Sequence, residues 1–211
     1  MPRKPANQQF DTIQAIRDQA FVLFGRFGYE GVSIGEIARH SKLSKGALYW
    51  HFPGKEALYL DCLQRLHAIF NEYIFDPMRA TNDPVRSILH LFRALNDLLQ
   101  DPRVQSGIAG YWLIPSRPET GRIVESQQAF EAASREVIAE TLRNGVAQGH
   151  FDFGNDLEDM AGAIISLVEA VVLPLRHQGP DEVKASLGVL ARTLFRAYAK
   201  DDALIGMTRE F

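Results

Sequence analysis

Cysteine, long apolar runs and strand-like alternation are all scarce in this sequence. Cys62 is the only cysteine among 211 residues, which excludes an intramolecular disulfide framework and a cysteine-based zinc site. The longest apolar run, residues 161–175, contains Glu169 and Pro174 and is too short to span a bilayer comfortably. The basic N-terminus is not followed by the apolar segment of a secretion signal. These absences predict a cytoplasmic protein in which Cys62 is a small apolar core residue.

Motifs of catalysis and metal binding are also absent. The sequence has no G-x-S-x-G, no phosphate-binding glycine loop, no H-E-x-x-H and no pair of histidines at metal-ligand spacing. We therefore expect neither an enzyme nor a protein with a metal or cofactor.

The net charge of −3 is unevenly distributed. Residues 1–60 contain eight Lys/Arg and five Asp/Glu, a net charge of +3, whereas the remainder contains 15 Lys/Arg and 21 Asp/Glu, a net charge of −6. A basic head on an acidic body is expected when one end of a protein meets phosphate. The acidic body disfavours an architectural DNA-bending protein, because such proteins are usually basic throughout.

Apolar residues recur at helical spacing along most of the chain, and no segment alternates over the length of a strand. The pattern predicts an all-α protein of about nine helices, with a frayed tail over residues 201–211. We expect domains at residues 1–54 and 55–211, joined through a long helix that starts near Lys55. The predicted helices cover approximately residues 12–27, 34–40, 45–51, 55–75, 84–100, 103–113, 119–148, 156–176 and 180–200.

Two short helices joined by a tight turn lie within residues 33–51. Ser33 and Glu36 form the S-x-x-E capping box that starts the first helix. Ser44 is the predicted N-cap of the second helix, after the turn formed by residues 41–43. Such a helix-turn-helix braces one helix against the DNA backbone and inserts the other into a major groove about 12 Å wide. A plain helical hairpin is the alternative.

The exposed face of the second short helix carries groups that suit a DNA contact. Gly46 and Ala47 let the backbone approach base edges, and Lys45 can donate to guanine or to phosphate. Tyr49 and His51 can donate hydrogen bonds to phosphate oxygens.

Lys55 opens the following helix, where backbone N–H groups and the helix dipole favour an anion. The alternative interpretation makes Tyr49 and Trp50 core aromatics and Lys55 a solvated lysine.

Residues 24–63, FGRFGYEGVSIGEIARHSKLSKGALYWHFPGKEALYLDCL, resemble the N-terminal signature of the TetR (tetracycline-repressor) family. The runs 44–52 and 54–58 match it position by position. The resemblance implies a three-helix helix-turn-helix domain, joined through a long helix to a C-terminal helical ligand-binding and dimerisation domain. It further implies a transcriptional repressor that binds a palindromic operator as a dimer and is released by a small-molecule effector. An activator would make identical groove contacts, so activation stays open.

The resemblance also implies which residues meet DNA. The family positions that face DNA correspond to Lys45, Gly46, Ala47 and Tyr49. Those that hold phosphates correspond to Ser33, His51 and Lys55. The full set of predicted DNA-binding residues is Ser33, Lys42, Ser44, Lys45, Gly46, Ala47, Tyr49, Trp50, His51 and Lys55.

Lys42 departs from the family pattern, which usually has glycine at this position of the inter-helix turn. A left-handed backbone there would cost a non-glycine residue about 1–2 kcal/mol. Either the turn differs slightly or the strain is tolerated, and the lysine can add a phosphate contact.

The C-terminal part carries no signature of its own. The resemblance implies that its last two helices, 156–176 and 180–200, pair with their copies in a four-helix homodimer interface. The first of them is apolar nearly all round, so it must be buried on several sides. Glu169 is the exception, and its charge needs a partner: an arginine, the other subunit or a polar ligand group.

An effector cavity between the middle helices is a further implication of the resemblance. Because this region is aromatic and largely apolar, we expect a lipophilic or aromatic small molecule. The candidate lining residues are His67, Phe70, Phe92, Tyr111, Trp112, Phe130 and Met160. Each of them is alternatively an ordinary core residue, and His67, like His90, a hydrogen-bonded core or surface histidine.

Overall fold

The computed structural model of the chain describes residues 6–172 and 180–210. Helices dominate these residues, and the antiparallel bridge between Phe151 and Ala199 is the only extended pairing among them. The all-α prediction is therefore confirmed. The α-helices are α1 (Ala6–Phe27), α2 (Ile34–His40), α3 (Lys45–His51), α4 (Lys55–Phe70), α5 (Asp76–Arg79), α6 (Pro84–Gln100), α7 (Pro102–Gln105), α8 (Gly121–Ala147), α9 (Leu157–Val172), α10 (Pro180–Tyr198) and α11 (Asp202–Gly206).

The described residues form two compact units. The first comprises the residues up to His67 together with Ser106–Gln127, and the second comprises Ala68–Gln105 with the residues from Gln128 onward. The divisions fall within α4 and α8, so each unit is built from separate stretches of the chain. The domain boundary predicted at residues 54 and 55 stays a prediction. None of the described helices combines the length and apolar character needed to cross a membrane.

Helices α1 and α4 form the frame of the first unit. Phe24 of α1 and Tyr59 of α4 are fully buried, with ring centroids 4.8 Å apart in an edge-to-face arrangement. Beside them, Arg17 Nη2 lies 2.6 Å from Asp61 Oδ1, and Arg17 Nε donates to both carboxylate oxygens. Forked charge-assisted hydrogen bonds of this kind restrict orientation as well as distance. They hold α1 against α4, and α1 in turn packs against α2.

A segment from the middle of the chain completes this core. Tyr111 is buried against Phe21 and Tyr59, with ring centroids 5.5 and 5.3 Å away. Its hydroxyl donates to the carbonyl oxygen of Phe21 at 3.0 Å. Gly110 approaches the α1 backbone so closely that a Cβ atom there would lie 2.3 Å from the carbonyl oxygen of Phe24. Only glycine allows this contact.

The second unit is built around α6. The residues of α6 that are buried are Pro84, Val85, Ser87, Ile88, Leu89, Leu91, Phe92, Ala94, Leu95, Leu98 and Leu99. Phe130 of α8 packs edge-to-face against Phe70 and Phe75, with ring centroids 6.4 and 5.9 Å away. Phe75 ends a π-helical turn, Asn71–Phe75, through which α4 continues into α5.

Two predicted helix bounds in the first 120 residues are wrong. α1 begins at Ala6 instead of residue 12, because its first residues are mostly polar and lack the apolar pattern that marks the rest of the helix. The single helix predicted over residues 103–113 is two short pieces, α7 and the 3₁₀ turn Ala109–Trp112. Gly107 separates them with φ +104°, which no α-helix contains.

Two expectations near the C-terminus also need correction. The helix predicted to begin at residue 156 begins one residue later: α9 starts at Leu157, and the carbonyl oxygen of Asp156 accepts from the Met160 amide. The tail expected to fray forms α11 and the 3₁₀ turn Met207–Glu210. The predicted end of α9 at residue 176 lies outside the described residues.

The reason for the ordered tail is a capped helix with one buried polar contact. Asp201 Oδ1 accepts from the Ala203 amide at 2.8 Å and caps α11. The buried Thr208 hydroxyl donates to the Ile205 carbonyl oxygen at 2.7 Å. α10 itself ends at Tyr198, two residues before the predicted position.

Candidate nucleic-acid interface

The start of α2 has the predicted capping box. The Glu36 amide donates to Ser33 Oγ at 3.2 Å, and the Ser33 amide donates to Glu36 Oε2 at 2.8 Å. The hydrogen bond from the Ser33 backbone, followed by that from its side chain, lowers the pKa of Glu36. The two residues therefore set where α2 begins, and Ser33 itself stays exposed.

The turn between α2 and α3 is a Schellman motif with lysine at its left-handed position. The Leu43 amide donates to the Ala38 carbonyl oxygen at 2.8 Å, and the Lys42 amide donates to the Arg39 carbonyl oxygen at 3.1 Å. This pair of hydrogen bonds requires a left-handed residue after the C-cap, usually glycine. Lys42 occupies it with φ +56°, the only non-glycine residue with positive φ in the described part of the chain. The turn thus keeps its shape, and the strain is tolerated.

The short helix α3 presents one face to the protein and the other to solvent. Ser44 Oγ accepts from the Ala47 amide at 3.1 Å, which confirms the predicted N-cap. Leu48 is completely buried. On the opposite side Trp50 is 79% exposed and Tyr49 54% exposed, so the alternative that these two rings are core aromatics is wrong.

A groove of about 430 Å³ runs beside this exposed face within the first unit. Its lining comprises residues 30–36, Lys45, Tyr49 and Lys55. Four of the residues predicted as DNA contacts thus border one concave surface: Ser33, Lys45, Tyr49 and Lys55. A Cβ atom on Gly35 would lie 2.7 Å from Lys45 Cε, so the glycine leaves room for this lysine to lie across the start of α2.

The charge of Lys55 is influenced by burial and by two acids. Its Nζ atom lies 4.3 Å from the centroid of the Tyr29 ring. Burial lowers the pKa of Lys55, while Glu30 and Glu36 raise it. Glu30 is a groove residue that sequence reasoning missed, because an acid would not be expected on a surface suited to phosphate. Its partner is Arg117, whose Nη1 lies 3.1 Å from Glu30 Oε1.

The remaining predicted contacts lie on α3 or next to it. Lys42, Ser44 and Gly46 are exposed, whereas Ala47 and His51 are half-buried. Together with the groove, this arrangement presents lysine ammonium groups and a tyrosine hydroxyl along a helix narrow enough for a major groove. Its chemistry suits hydrogen bonding to phosphate and to base edges.

The candidate effector residues divide between the two units. In the first unit, Tyr111 belongs to the aromatic core described above, and Trp112 is half-buried. His67 Nε2 lies 3.0 Å from Gln127 Oε1, and burial lowers the pKa of this histidine.

In the second unit, Phe70 and Phe92 are buried, and Phe130 and Met160 are half-buried. The role of all seven residues in effector binding stays a prediction.

A second groove, of about 500 Å³, lies between α8 and α9 in the second unit. It contains none of the candidate effector residues; its lining comprises Gln128, Glu131, Ala132, Arg135, Asp159, Gly162, Ile165 and Ser166. The structure gives Glu169 a carboxyl partner, Glu131. The hydrogen bond that the protonated Glu131 donates to Glu169, then burial and the neighbouring charge, raise the pKa of Glu131 to about 7.

The chain is similar to a family of bacterial regulators in sequence. The family model described as "Bacterial regulatory proteins, tetR family" matches residues 16–62. The HTH-type transcriptional regulator SrpR of Pseudomonas putida is 28% identical over 194 residues, which cover 89% of this chain and 87% of that protein. Other curated regulators match over shorter stretches, which cover between 16% and 64% of their own length.

Solved structures share the fold over nearly the whole chain. The SmeT–triclosan complex has a TM-score of 0.72 at 21% identity and covers 90% of this chain and 93% of that one. The TetR-family regulator CifR, a cysteine mutant in complex with 26-bp operator DNA, has a TM-score of 0.73 at 18% identity and covers 92% and 99%. At this level of identity the likeness establishes the fold.

Proposed function

We propose that this chain is a DNA-binding transcriptional regulator of the TetR family, a cytoplasmic repressor that binds a palindromic operator as a homodimer. A small lipophilic or aromatic effector releases it from that operator. The predicted contact residues on and around α3 form its DNA-binding surface.

The exposed face of α3 is the observation that carries this proposal. Trp50 and Tyr49 are large rings that the fold leaves in solvent, and such rings on a surface mark an interaction site. They adjoin a groove that also carries Lys45 and Lys55. The CifR complex supports the assignment, because a protein of similar fold binds duplex DNA.

The dimer interface is proposed for α9 and α10. Ala163, Ser166 and Ala170 of α9 are exposed, and Val189 of α10 is 55% exposed. The exposed apolar surface of Val189 and of the two alanines would gain free energy from burial against a second copy. The apolar faces of α9 and α10 also include Val168 and Leu194, but both side chains are buried within the unit. A charge at the exposed Val189 therefore tests the interface without disturbing the core.

Effector release is proposed from the aromatic core of the second unit. Phe70, Phe75 and Phe130 form a ring cluster there, and Phe92 is buried in the same unit. The similarity to SmeT, whose structure holds triclosan, supports an aromatic effector. Linkage requires that the effector bind the DNA-free conformation better, so saturating operator must weaken effector binding by the same factor.

A selection from randomised duplex DNA tests the proposed function. We expect enrichment of a palindrome whose half-sites are about one helical turn, 34–36 Å, or somewhat more apart. The Lys45→Ala variant should change the enriched bases. Arg86→Ala is the matched control, because this exposed cation lies on α6 in the second unit, outside the helices proposed to meet DNA or the second copy. Failure to enrich any duplex would contradict the proposal.

A reporter gene placed behind the selected palindrome separates repression from activation. We expect expression to fall when the protein is supplied and to recover when an effector is added. A rise in expression on supplying the protein would assign it as an activator with the same DNA contacts.

A further inference from the structure

Glu30 places a negative charge on the groove that the proposed function assigns to DNA. It lies in the turn between α1 and α2 and lines the groove with Ser33 and Lys55. Both Glu30 and its partner Arg117 are about half exposed. A carboxylate at this place repels an approaching phosphate unless a cation offsets its charge.

Arg117 supplies that cation from a distant part of the chain. Its Nη1 atom lies 3.1 Å from Glu30 Oε1 and 4.0 Å from Glu119 Oε1. Lys55 and Glu36 also line the groove, and both Glu30 and Glu36 act on the charge of Lys55. Arg117 is therefore the cation in direct contact with this carboxylate.

The backbone of Arg117 is held by a buried threonine. The Arg117 amide donates to Thr120 Oγ1 at 3.1 Å, and the Thr120 side chain is fully buried. The same segment is attached to α1 at its other end, where Arg26 Nε donates to the Ser106 carbonyl oxygen at 2.7 Å. The guanidinium thus projects from a segment that is anchored to the helix-turn-helix unit at several points.

We propose that Arg117 is a positioning residue for DNA binding, which acts by neutralising Glu30 in the phosphate-facing groove. The affinity for DNA then depends on a residue that does not itself meet DNA. Loss of the pair exposes the Glu30 charge to phosphate and weakens binding. This inference rests on the proposed DNA-binding function and adds a determinant of affinity outside residues 33–55.

A double-mutant cycle tests the inference. Wild type, Arg117→Gln, Glu30→Gln and the double variant are titrated with the selected palindrome and with a random duplex, using fluorescence anisotropy. One exposed charge about 7 Å away changes an equilibrium about threefold in water. We expect Arg117→Gln to weaken binding about threefold, because it leaves the Glu30 carboxylate uncompensated. Glu30→Gln and the double variant, which both lack that carboxylate, should bind within about twofold of wild type. The differences should shrink at high salt.

Glu119→Gln is the matched control. It removes the other acid beside Arg117 and leaves the Glu30 pair intact, so its affinity should stay within about twofold of wild type. Arg117→Lys, which keeps the charge, should also remain close to wild type. Thermal unfolding of each variant reports whether the fold is preserved, and we expect little change for an exposed pair.

Two results would overturn the inference. An Arg117→Gln loss that is equally large in the Glu30→Gln background, with a salt slope shallower by about 0.9, would mean that Arg117 contacts phosphate itself. An Arg117→Gln variant that binds as wild type would mean that the pair has no influence. Wild-type protein that binds neither duplex would instead refute the proposed function on which the inference rests.

Discussion

Replacing Lys42 with glycine tests the turn between α2 and α3. Lys42 holds φ +56° in a Schellman motif, and the left-handed conformation costs a non-glycine residue about 1–2 kcal/mol. Glycine removes that strain but loses about 0.5–1 kcal/mol through the greater freedom of the unfolded chain. The net expectation is a gain of about 0.5–1 kcal/mol in the free energy of unfolding. For a chain of this length that corresponds to a rise in Tm of about 1–4 °C.

Lys42→Ala is the control that separates backbone strain from charge. It removes the same ammonium group but keeps the Cβ atom that makes the left-handed conformation costly. We expect its Tm to stay close to wild type, so that only the glycine variant is stabilised. Both variants are compared by calorimetry at one protein concentration, because the Tm of the proposed dimer would depend on concentration.

The same two variants also test whether Lys42 contacts DNA. If Lys42 contacts phosphate, both lose affinity, and the slope of log K against log salt becomes shallower by about 0.9. A glycine variant less stable than the alanine variant would refute the strain argument. An unchanged salt slope in both variants would remove Lys42 from the predicted contacts.

Three further predictions concern phosphate contact, pH and assembly. Lys55→Ala should weaken binding to specific and random duplexes alike and make the slope of log K against log salt shallower. Lys45→Ala should instead alter base preference by about 1–3 kcal/mol. Equal losses on both duplexes for Lys45→Ala would assign Lys45 to phosphate. Since the pKa of Glu131 is raised to about 7, the native state holds a proton that the unfolded chain has released, and stability falls as the pH rises towards 7. Glu131→Gln should therefore raise Tm more at pH 8 than at pH 5, and a pH-independent change would contradict the role of the Glu169 contact. Val189→Asp should shift a dimer towards monomer in sedimentation, and a wild type that is already monomeric at micromolar concentration would refute the proposed interface.

Features set by neighbouring residues could be predicted from the sequence. The capping box of Ser33 with Glu36 and the N-cap at Ser44 need only partners within three positions. The bounds of α2 followed from the same signals. The departure at Lys42 was recognised because one glycine was missing from a familiar pattern, and the left-handed φ is its direct consequence.

Long-range pairs were decided only by the tertiary structure. The prediction that Tyr111 lines an effector cavity said nothing of its partner: its hydroxyl donates to the carbonyl oxygen of Phe21, 90 positions earlier. Glu30 and Arg117 form an ion pair although they are far apart in the sequence, and no helical or strand periodicity relates their positions. An amphipathic pattern says that a side chain is buried or exposed, but not which distant side chain it meets.

The sequence alone determined that this chain is helical and where α3 begins, and it predicted which residues on that helix suit a DNA contact. It could do so because caps, turns and apolar stripes act within about one helical turn. The tertiary structure decided that residues 106–127 join the helix-turn-helix unit and that Arg117 faces Glu30. It also decided that Glu169 meets another carboxylate. These contacts depend on how helices remote in sequence pack, and packing is settled by the shape and burial of the whole unit rather than by any local pattern.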